Sequence, residues 1–383
     1  MDRTASFLGA LSPRVRRAIG MMLLAVIVVG ATSLYFLHPW QTSQRAIATT
    51  QVKRSSAVPA GNFARYEFLN ASVGWAVEIA PDSRNAGPYW IFKTVDGAKH
   101  WQKVLSGQST WIGTTVQSLH FVDARNGFVA GGDPLTLHRS TDGGARWAQL
   151  ELPMPDALIL NFVDSSHGWL LAGPNEPNPR MRTYSTADGG STWNRLPDGP
   201  SDAVSTATFR GLSEGWSGAS GTDRPHVYLS LDGGGTWARR DLPLEADLPE
   251  AGVVTTVQLL PGSGVVAYVL AQAQGPLHTY TSFDEGATWR LVTIPSASGA
   301  SGEYVFEDAR HWWMFQGLDF FKTADSGLSW TLASRGASTG PNQVQVLDAM
   351  HAWGQLDDGN GAQLLFTSDG GFHWQQMNVP VAQ

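Results

Sequence analysis

Cysteine is absent from the chain, which removes disulfides, thiolate metal sites and thiol nucleophiles together. Charge is sparse, at 15% of residues, and basic charge is sparser still over most of the length. Residues 1–62 hold seven of the 26 Lys and Arg but one of the 33 Asp and Glu, so residues 63–383 carry 19 basic and 32 acidic groups, a net of −13. Nucleic-acid-binding domains are basic, and that class of partner is excluded. The ten histidines show no pair on one element with a third ligand nearby, as a metal site requires. Asp357-Asp358-Gly359-Asn360-Gly361 has the composition of a calcium loop but lacks the ligand spacing and terminal Glu of an EF-hand. There is no Gly-Lys phosphate loop. No metal and no cofactor are expected.

Long apolar runs are also missing, with one exception. Residues 18–37 are twenty residues without a charge, preceded by Arg14, Arg16 and Arg17. About 20 apolar residues span a bilayer as a helix, and flanking cations stay on the cytoplasmic side. The expectation is a single-pass signal anchor at 18–37, a cytoplasmic basic segment at 1–17 and a flexible tether at 38–62, with the remainder outside the cytoplasm, extracellular or periplasmic. The rival reading is a cleaved signal peptide. It fits less well, because its apolar region runs to only about 7–15 residues before a small-residue site, and the best such site here, Ala46-Ile47-Ala48, lies well beyond the run.

Glycine (42) and tryptophan (16) are abundant instead, and most of the tryptophans belong to a repeat. Lys93-Thr94-Val95-Asp96-Gly97 leads to Trp101, Ser140-Thr141-Asp142-Gly143-Gly144 to Trp147, and Thr186-Ala187-Asp188-Gly189-Gly190 to Trp193. The pattern returns as Asp232 with Trp237, Asp284 with Trp289, Asp325 with Trp330 and Asp369 with Trp374, always five residues apart. Successive Asp residues are spaced by 46, 46, 44, 52, 41 and 44, a period that marks propellers. A second motif precedes each box: an apolar pair, a small or acidic residue, then an aromatic five residues on, as in Phe121-Val122-Asp123 with Gly127-Phe128. Blade five, with Leu259-Leu260-Pro261-Gly262-Ser263-Gly264, keeps a turn but loses the aromatic.

The two motifs punctuate four short strands per repeat. In blade two these are expected at 116–121, 127–130, 136–140 and 147–151, and alternating strands with Gly/Asp turns give antiparallel sheets. The fold class is therefore all-β, a seven-bladed propeller over 63–383. In the box an Asp carboxylate can accept the N–H groups that follow it, Gly supplies positive φ, and the Trp buries a large apolar face between sheets. The box residues read as structural, and so do twelve of the sixteen tryptophans.

The box Ser/Thr-x-Asp-x-Gly-x-Thr-Trp resembles the Asp-box, or BNR, repeat of sialidases, sortilin-type receptors and xyloglucanases. The fuller pattern, with Gly74-Trp75-Ala76-Val77 before Phe92-Lys93-Thr94-Val95-Asp96-Gly97 and with Phe321-Lys322-Thr323-Ala324-Asp325 in blade six, is most similar to the photosystem II assembly and stability factor propellers. That resemblance implies a factor that assists assembly of a membrane protein complex from the non-cytoplasmic side. The sialidase equipment does not follow it, since no Arg-Ile-Pro-type motif precedes Asp96 and every blade carries a box.

Binding residues are sought in the loops joining second to third strands and fourth to first. These carry Arg84, Arg180, Arg182 and Arg224, together with Trp111, which has no place in either motif. Two functional readings follow. In one, the chain is a non-catalytic, membrane-tethered module that binds a protein partner in the membrane or envelope. In the alternative, the axial pocket binds or hydrolyses a glycan, with a catalytic pair drawn from loop carboxylates such as Asp82, Glu176, Asp223, Asp357 and Asp358.

Overall fold

The computed structural model describes residues 51–53, 63–79, 87–109, 116–131, 135–154, 159–172, 181–203, 207–221, 224–245, 253–271, 277–292, 303–316, 319–335, 341–357 and 362–381. The expected membrane span lies outside them, and among the described residues no helix is long and apolar enough to cross a membrane.

The described strands form seven sheets, each built on four antiparallel strands that follow one another along the chain. Blade one is Phe63–Phe68, Gly74–Ile79, Gly87–Thr94 and Gln102–Ser109. Blade two is Val116–Phe121, Gly127–Gly131, Thr136–Ser140 and Ala148–Leu150, within a residue of the expected bounds. First strands neighbour one another between blades one and two, two and three, four and five, and six and seven, so they surround the axis and the fourth strands form the rim.

Hydrophobic packing sits between blades rather than within them, as a twisted sheet with two apolar faces requires. Each of the seven buried clusters joins residues of two consecutive blades. Trp75, Val77 and Ile91 of blade one meet Leu119, Phe121 and Val129 of blade two, with Trp147 packed against them. The other box tryptophans take the same place, Trp193, Trp237, Trp289, Trp330, Trp374 and Trp101 each covering one inter-blade cluster.

At four of the blade boundaries an aromatic stack spans the gap. Trp75 lies on Phe121 at 3.4 Å between centroids, Phe128 on Phe162 at 3.5 Å, Trp169 on Phe209 at 4.2 Å and Trp353 on Phe68 at 3.7 Å, all within 10° of parallel. The other face of each Phe rests on the glycine that opens the next strand of its own blade. A Cβ on Gly127 would stand 2.2 Å from the Phe121 ring. That is why glycine precedes the aromatic in blades one to four.

The ring closes between blades seven and one through side chains. Besides the Trp353 stack, Gln345 accepts from the N–H of Phe68 (2.9 Å) and donates to its carbonyl (2.8 Å). The one Tyr66 hydroxyl proton is shared between the carbonyls of Gln343 and Trp353, and the Trp101 indole donates to Asn378 O at 2.9 Å. Gln51–Lys53 pairs in parallel with His373, Trp374 and Gln375 at the outer edge of blade seven. The stretch 38–62 read as a tether therefore includes a strand. Three residues, Gln51-Val52-Lys53, are too few to show periodicity, and only the waiting edge at His373–Met377 selects them.

Blade four departs from the plan. After Glu214–Ser217 the chain makes a short strand, Ser220–Gly221, that pairs with Val253–Leu259 as a fifth strand at the inner edge of blade five. Gly218 permits the crossing, since a Cβ there would lie 1.9 Å from Thr255 O.

Candidate functional site

The strand ends divide into two faces. Of the loop residues expected to bind ligand, Trp111, Arg84, Arg180, Asp82, Glu176, Asp223 and Asp358 fall outside the described residues. Arg182 is half-buried in the third strand of blade three, in register with Ala172. Arg224 is exposed in blade four, and its carbonyl accepts from His226 Nδ1 at 2.8 Å. Asp357 closes the second strand of blade seven.

His226 is 1% exposed, and its other nitrogen lies 3.0 Å from Asp202, whose second oxygen accepts from Tyr228 OH at 2.7 Å. Asp202 belongs to a linker held to the crossing segment by the Ala203–Ala219 bridge. A buried imidazole with both nitrogens engaged fixes this linker and is not presented to a substrate.

The opposite end carries the box turns, and their geometry repeats. A hydroxyl two residues before each Asp accepts from the N–H two residues after it and donates to the carboxylate. Thr94 thus accepts from Ala98 N–H (3.0 Å) and donates to Asp96, while Ser140 accepts from Gly144 N–H (2.8 Å) and donates to Asp142. The carboxylate also accepts the N–H four residues on, at Arg146, Thr192, Thr236, Thr288, Ser329 and His373 as well as His100. These donors hold the carboxyls below the ordinary range. Asp96 is lowered to about 2 chiefly by the His100 side chain, Asp284 to about 2 by Thr288, and Asp325 to about 2 by Ser329. A carboxylate so ionised and so occupied is no general acid at neutral pH.

Cations lock this face across blade boundaries. Lys93 donates to Gly143 O of blade two at 2.7 Å. Arg139 reaches Asp188 O and Ser165 O of blade three, and Arg240 reaches Glu285 O of blade five. Lys93 also lies over Trp75 at 5.4 Å, while Lys322, its counterpart, lies over three rings, Trp313 at 4.6 Å, Phe372 at 5.3 Å and Phe320 at 5.5 Å. Burial lowers its pKa although Glu307 and Asp369 pull the other way. The family-like Lys-Thr pairs at 93 and 322 are thus inter-blade contacts.

A polar chain near the axis escaped the sequence reading. Glu67 accepts from Phe121 N–H (3.0 Å) and lies 2.9 Å from His120 Nδ1, while His120 Nε2 is 3.1 Å from Phe162 O. With Gln345 this links blades seven, one, two and three. Both ring nitrogens of His120 face acceptors, so the doubly protonated form satisfies the site. Burial opposes that charge, but Glu67 outweighs it and raises the pKa. The signal was a polar residue one place before the closing residue of the first strand, at Glu67, His120 and Gln345.

Glu307, Asp308 and His311 bring three possible ligand atoms within 4.8 Å. Asp308 is already engaged by the N–H groups of Arg310 and His311 and by the His311 ring. Asp164 with His167 and Asp348 with His351 repeat that turn. Turn chemistry therefore accounts for the group.

Among the described residues, three open grooves lie on the box-turn face. One of 490 Å³ lies between blades two and three, beside Arg139, Asp142, Arg146 and Trp147. Two others, of 260 and 470 Å³, share Ser263 and Phe283 as a common wall and run over blades four, five and six. In the smaller, Arg210 makes two bonds to Glu214 (2.6 and 2.9 Å). Burial alone would raise the Glu214 pKa, but Arg210 and the Trp216 indole outweigh it and lower it. The larger is lined by Phe283, Arg290, Arg310, Asp325 and Leu328.

No family model matches the chain. It is similar to the photosystem II assembly lipoprotein Ycf48 of Synechococcus sp. (strain CC9902), with 25% identity over 272 residues that span 67% of this chain and 73% of that one. Among solved structures, Ycf48 bound to a D1 peptide superposes with a TM-score of 0.54 at 13% identity, covering 88% of this chain and 99% of that one. A puromycin-hydrolysing peptidase of Mycobacterium tuberculosis gives a TM-score of 0.56 at 13% identity, covering 89% of this chain but 57% of the peptidase. The resemblance to the photosystem II assembly factor propellers is thus found again in the comparison of whole chains, and the solved structures share the propeller fold.

Proposed function

We propose that this chain is a non-catalytic, protein-binding propeller that assists assembly of a membrane complex, as the Ycf48 likeness suggests. The sequence similarity to that assembly lipoprotein, which runs through two thirds of the chain, carries the reading. The geometry agrees with it: the repeated carboxylates are consumed by their own turns, and the open grooves are shallow seams between rigid blades. One propeller of this fold, Ycf48, is bound to a D1 peptide, and we take a polypeptide to be the ligand here too. In this reading residues 18–37 anchor the chain and the propeller stands on the extracytoplasmic side.

The test is crosslinking of the full-length protein in its native membrane, followed by mass spectrometry. A reproducible membrane complex in the crosslinks supports the reading. Retention on envelope polysaccharide with no protein partner overturns it in favour of the glycan alternative.

A further inference from the structure

We infer that the double groove over blades four to six is a docking site for an internal, extended segment of a partner protein that carries an acidic side chain beside an apolar one. The inference rests on the protein-binding reading and specifies where and how the partner is held.

The groove lies where the repeat breaks. The first turns of blades two, three, six and seven each carry an aspartate, Asp123, Asp164, Asp308 and Asp348, whereas blades four and five have Gly211 and Pro261 there. The smaller groove keeps two carboxylates, Glu214 in an ion pair with Arg210 and Glu285 exposed, whereas the larger keeps one. Positive charge is added to the same wall. Arg290 occupies a place taken in the other blades by Gln102, Ala148, Asn194, Ala238, Thr331 and Gln375, all uncharged. Arg310 enters from the first turn of blade six.

Neither guanidinium makes an ion pair among the described residues. Arg210 and Arg335 are paired with Glu214 and Asp319, and Arg139 and Arg240 are bound to carbonyls. Arg290 instead lies over the Phe283 ring, 5.6 Å from its centroid. Phe283 is 42% exposed and Leu328 41% exposed, so two apolar surfaces face solvent between the arginines. Phe283 is the only aromatic at the position before a box Asp. Asp325, the one carboxylate lining the larger groove, has its oxygens taken by Thr323, Ser329 N–H and Ser329 Oγ.

An arginine stacked on an aromatic keeps its donor fork free for a carboxylate. Aromatic and arginine side chains together form the energetic centres of protein interfaces. Two positive groups on an otherwise negative domain select for an acidic segment in one register and repel it elsewhere. Continuity into the second cavity, past Ser263, suits a chain that passes through rather than one that ends there.

The probe is a fluorescein-labelled, C-terminally amidated peptide of sequence Gly-Glu-Phe-Glu-Leu-Gly, titrated against the full-length protein in detergent micelles and read by fluorescence polarisation. Saturable binding is expected, weakened about tenfold or more by the double variant R290A/R310A and by Gln in place of Glu in the probe. Arg146→Ala, in the groove between blades two and three, leaves it unchanged. The charge-reversed R290E/R310E variant should bind the same peptide with Lys in place of Glu. Absence of binding, equal binding of the Gln probe, or indifference to R290A/R310A overturns the inference. Membrane crosslinking separates the two levels. A partner captured equally by wild type and R290A/R310A overturns this groove but leaves the protein-binding reading standing. Probe binding with no membrane partner supports the groove and overturns the assembly reading.

Discussion

Blades one to four and blades five to seven solve the same packing problem with different residues. In the first set the closing residue of the first strand is Phe68, Phe121, Phe162 or Phe209, set flat on Gly74, Gly127, Gly168 or Gly215. The previous blade's aromatic covers the other side of each ring, stacked on it in the four gaps from blade seven round to blade four. In the second set Leu259, Phe306 and Val346 take the Phe place, while Val265, Trp312 and Ala352 take the glycine place. Phe306 meets Trp312 edge-on at 4.9 Å and 79°. Volume moves from one side of the strand pair to the other, and the seam stays filled. A repeat can thus keep its fold while its motif decays, provided the two positions change together. The decayed half is also where the groove opens.

The largest test of this difference is removal of a sandwiched ring. Phe121→Ala should cost about 3–5 kcal/mol, while Val346→Ala in the equivalent place should cost about 1–3, read as shifts in the urea midpoint at constant slope. Equal losses would erase the distinction. Adding a methyl tests the other side of the pair. Gly127→Ala should destabilise by about 1–3 kcal/mol through overpacking on Phe121, and pairing it with Phe121→Leu should recover part of the loss.

A smaller effect separates two lysines that look alike in sequence. Lys93→Met removes a bond to Gly143 O and should cost about 1–2 kcal/mol. Lys322→Met, among Trp313, Phe320 and Phe372, should cost less than half of that. Because burial lowers the Lys322 pKa, its contribution to stability should rise as pH climbs through the folded value towards the unfolded one, near 10.4. The Met variant should lose that rise.

The axial link of the aromatic half gives a pH signature. The His120 pKa is raised in the folded state, so its stabilisation is complete below the unfolded value, near 6.5, and is lost as pH rises through the folded value. Wild type should lose denaturant resistance across that window, and His120→Gln should flatten the profile. A profile unchanged by the substitution would remove the charged link from the comparison.

The smallest effect is a gain. Blades five and six place Glu285 and Ser326 at φ of 58° and 62°, where other boxes have glycine. Glu285→Gly should stabilise by about 1 kcal/mol, and thermal unfolding checks it.

The repeat made much of this legible before any coordinates. Asp and Trp five residues apart, seven times, specify turn, strand and blade because each box closes within its own few residues, and local hydrogen bonds need only local sequence. The strands of blade two were readable to within a residue for that reason. Less was legible at the site. Arg182 and Arg224 read as loop cations; Arg182 opens the third strand of blade three, and Arg224 is exposed just before the third strand of blade four, its carbonyl bound to a buried histidine. What the sequence alone determined was the period, the turns and hence the propeller. The tertiary structure decided which lysine is a hydrogen-bond donor and which lies among rings, that His120 stands between Glu67 and Phe162, that Gln51–Lys53 joins the last blade, and that Phe283, Arg290 and Arg310 share one wall. Each of these includes a neighbour from another blade, from 20 residues away for Arg290 and Arg310 to 322 for Gln51 and His373, and such neighbours meet only when the blades pack.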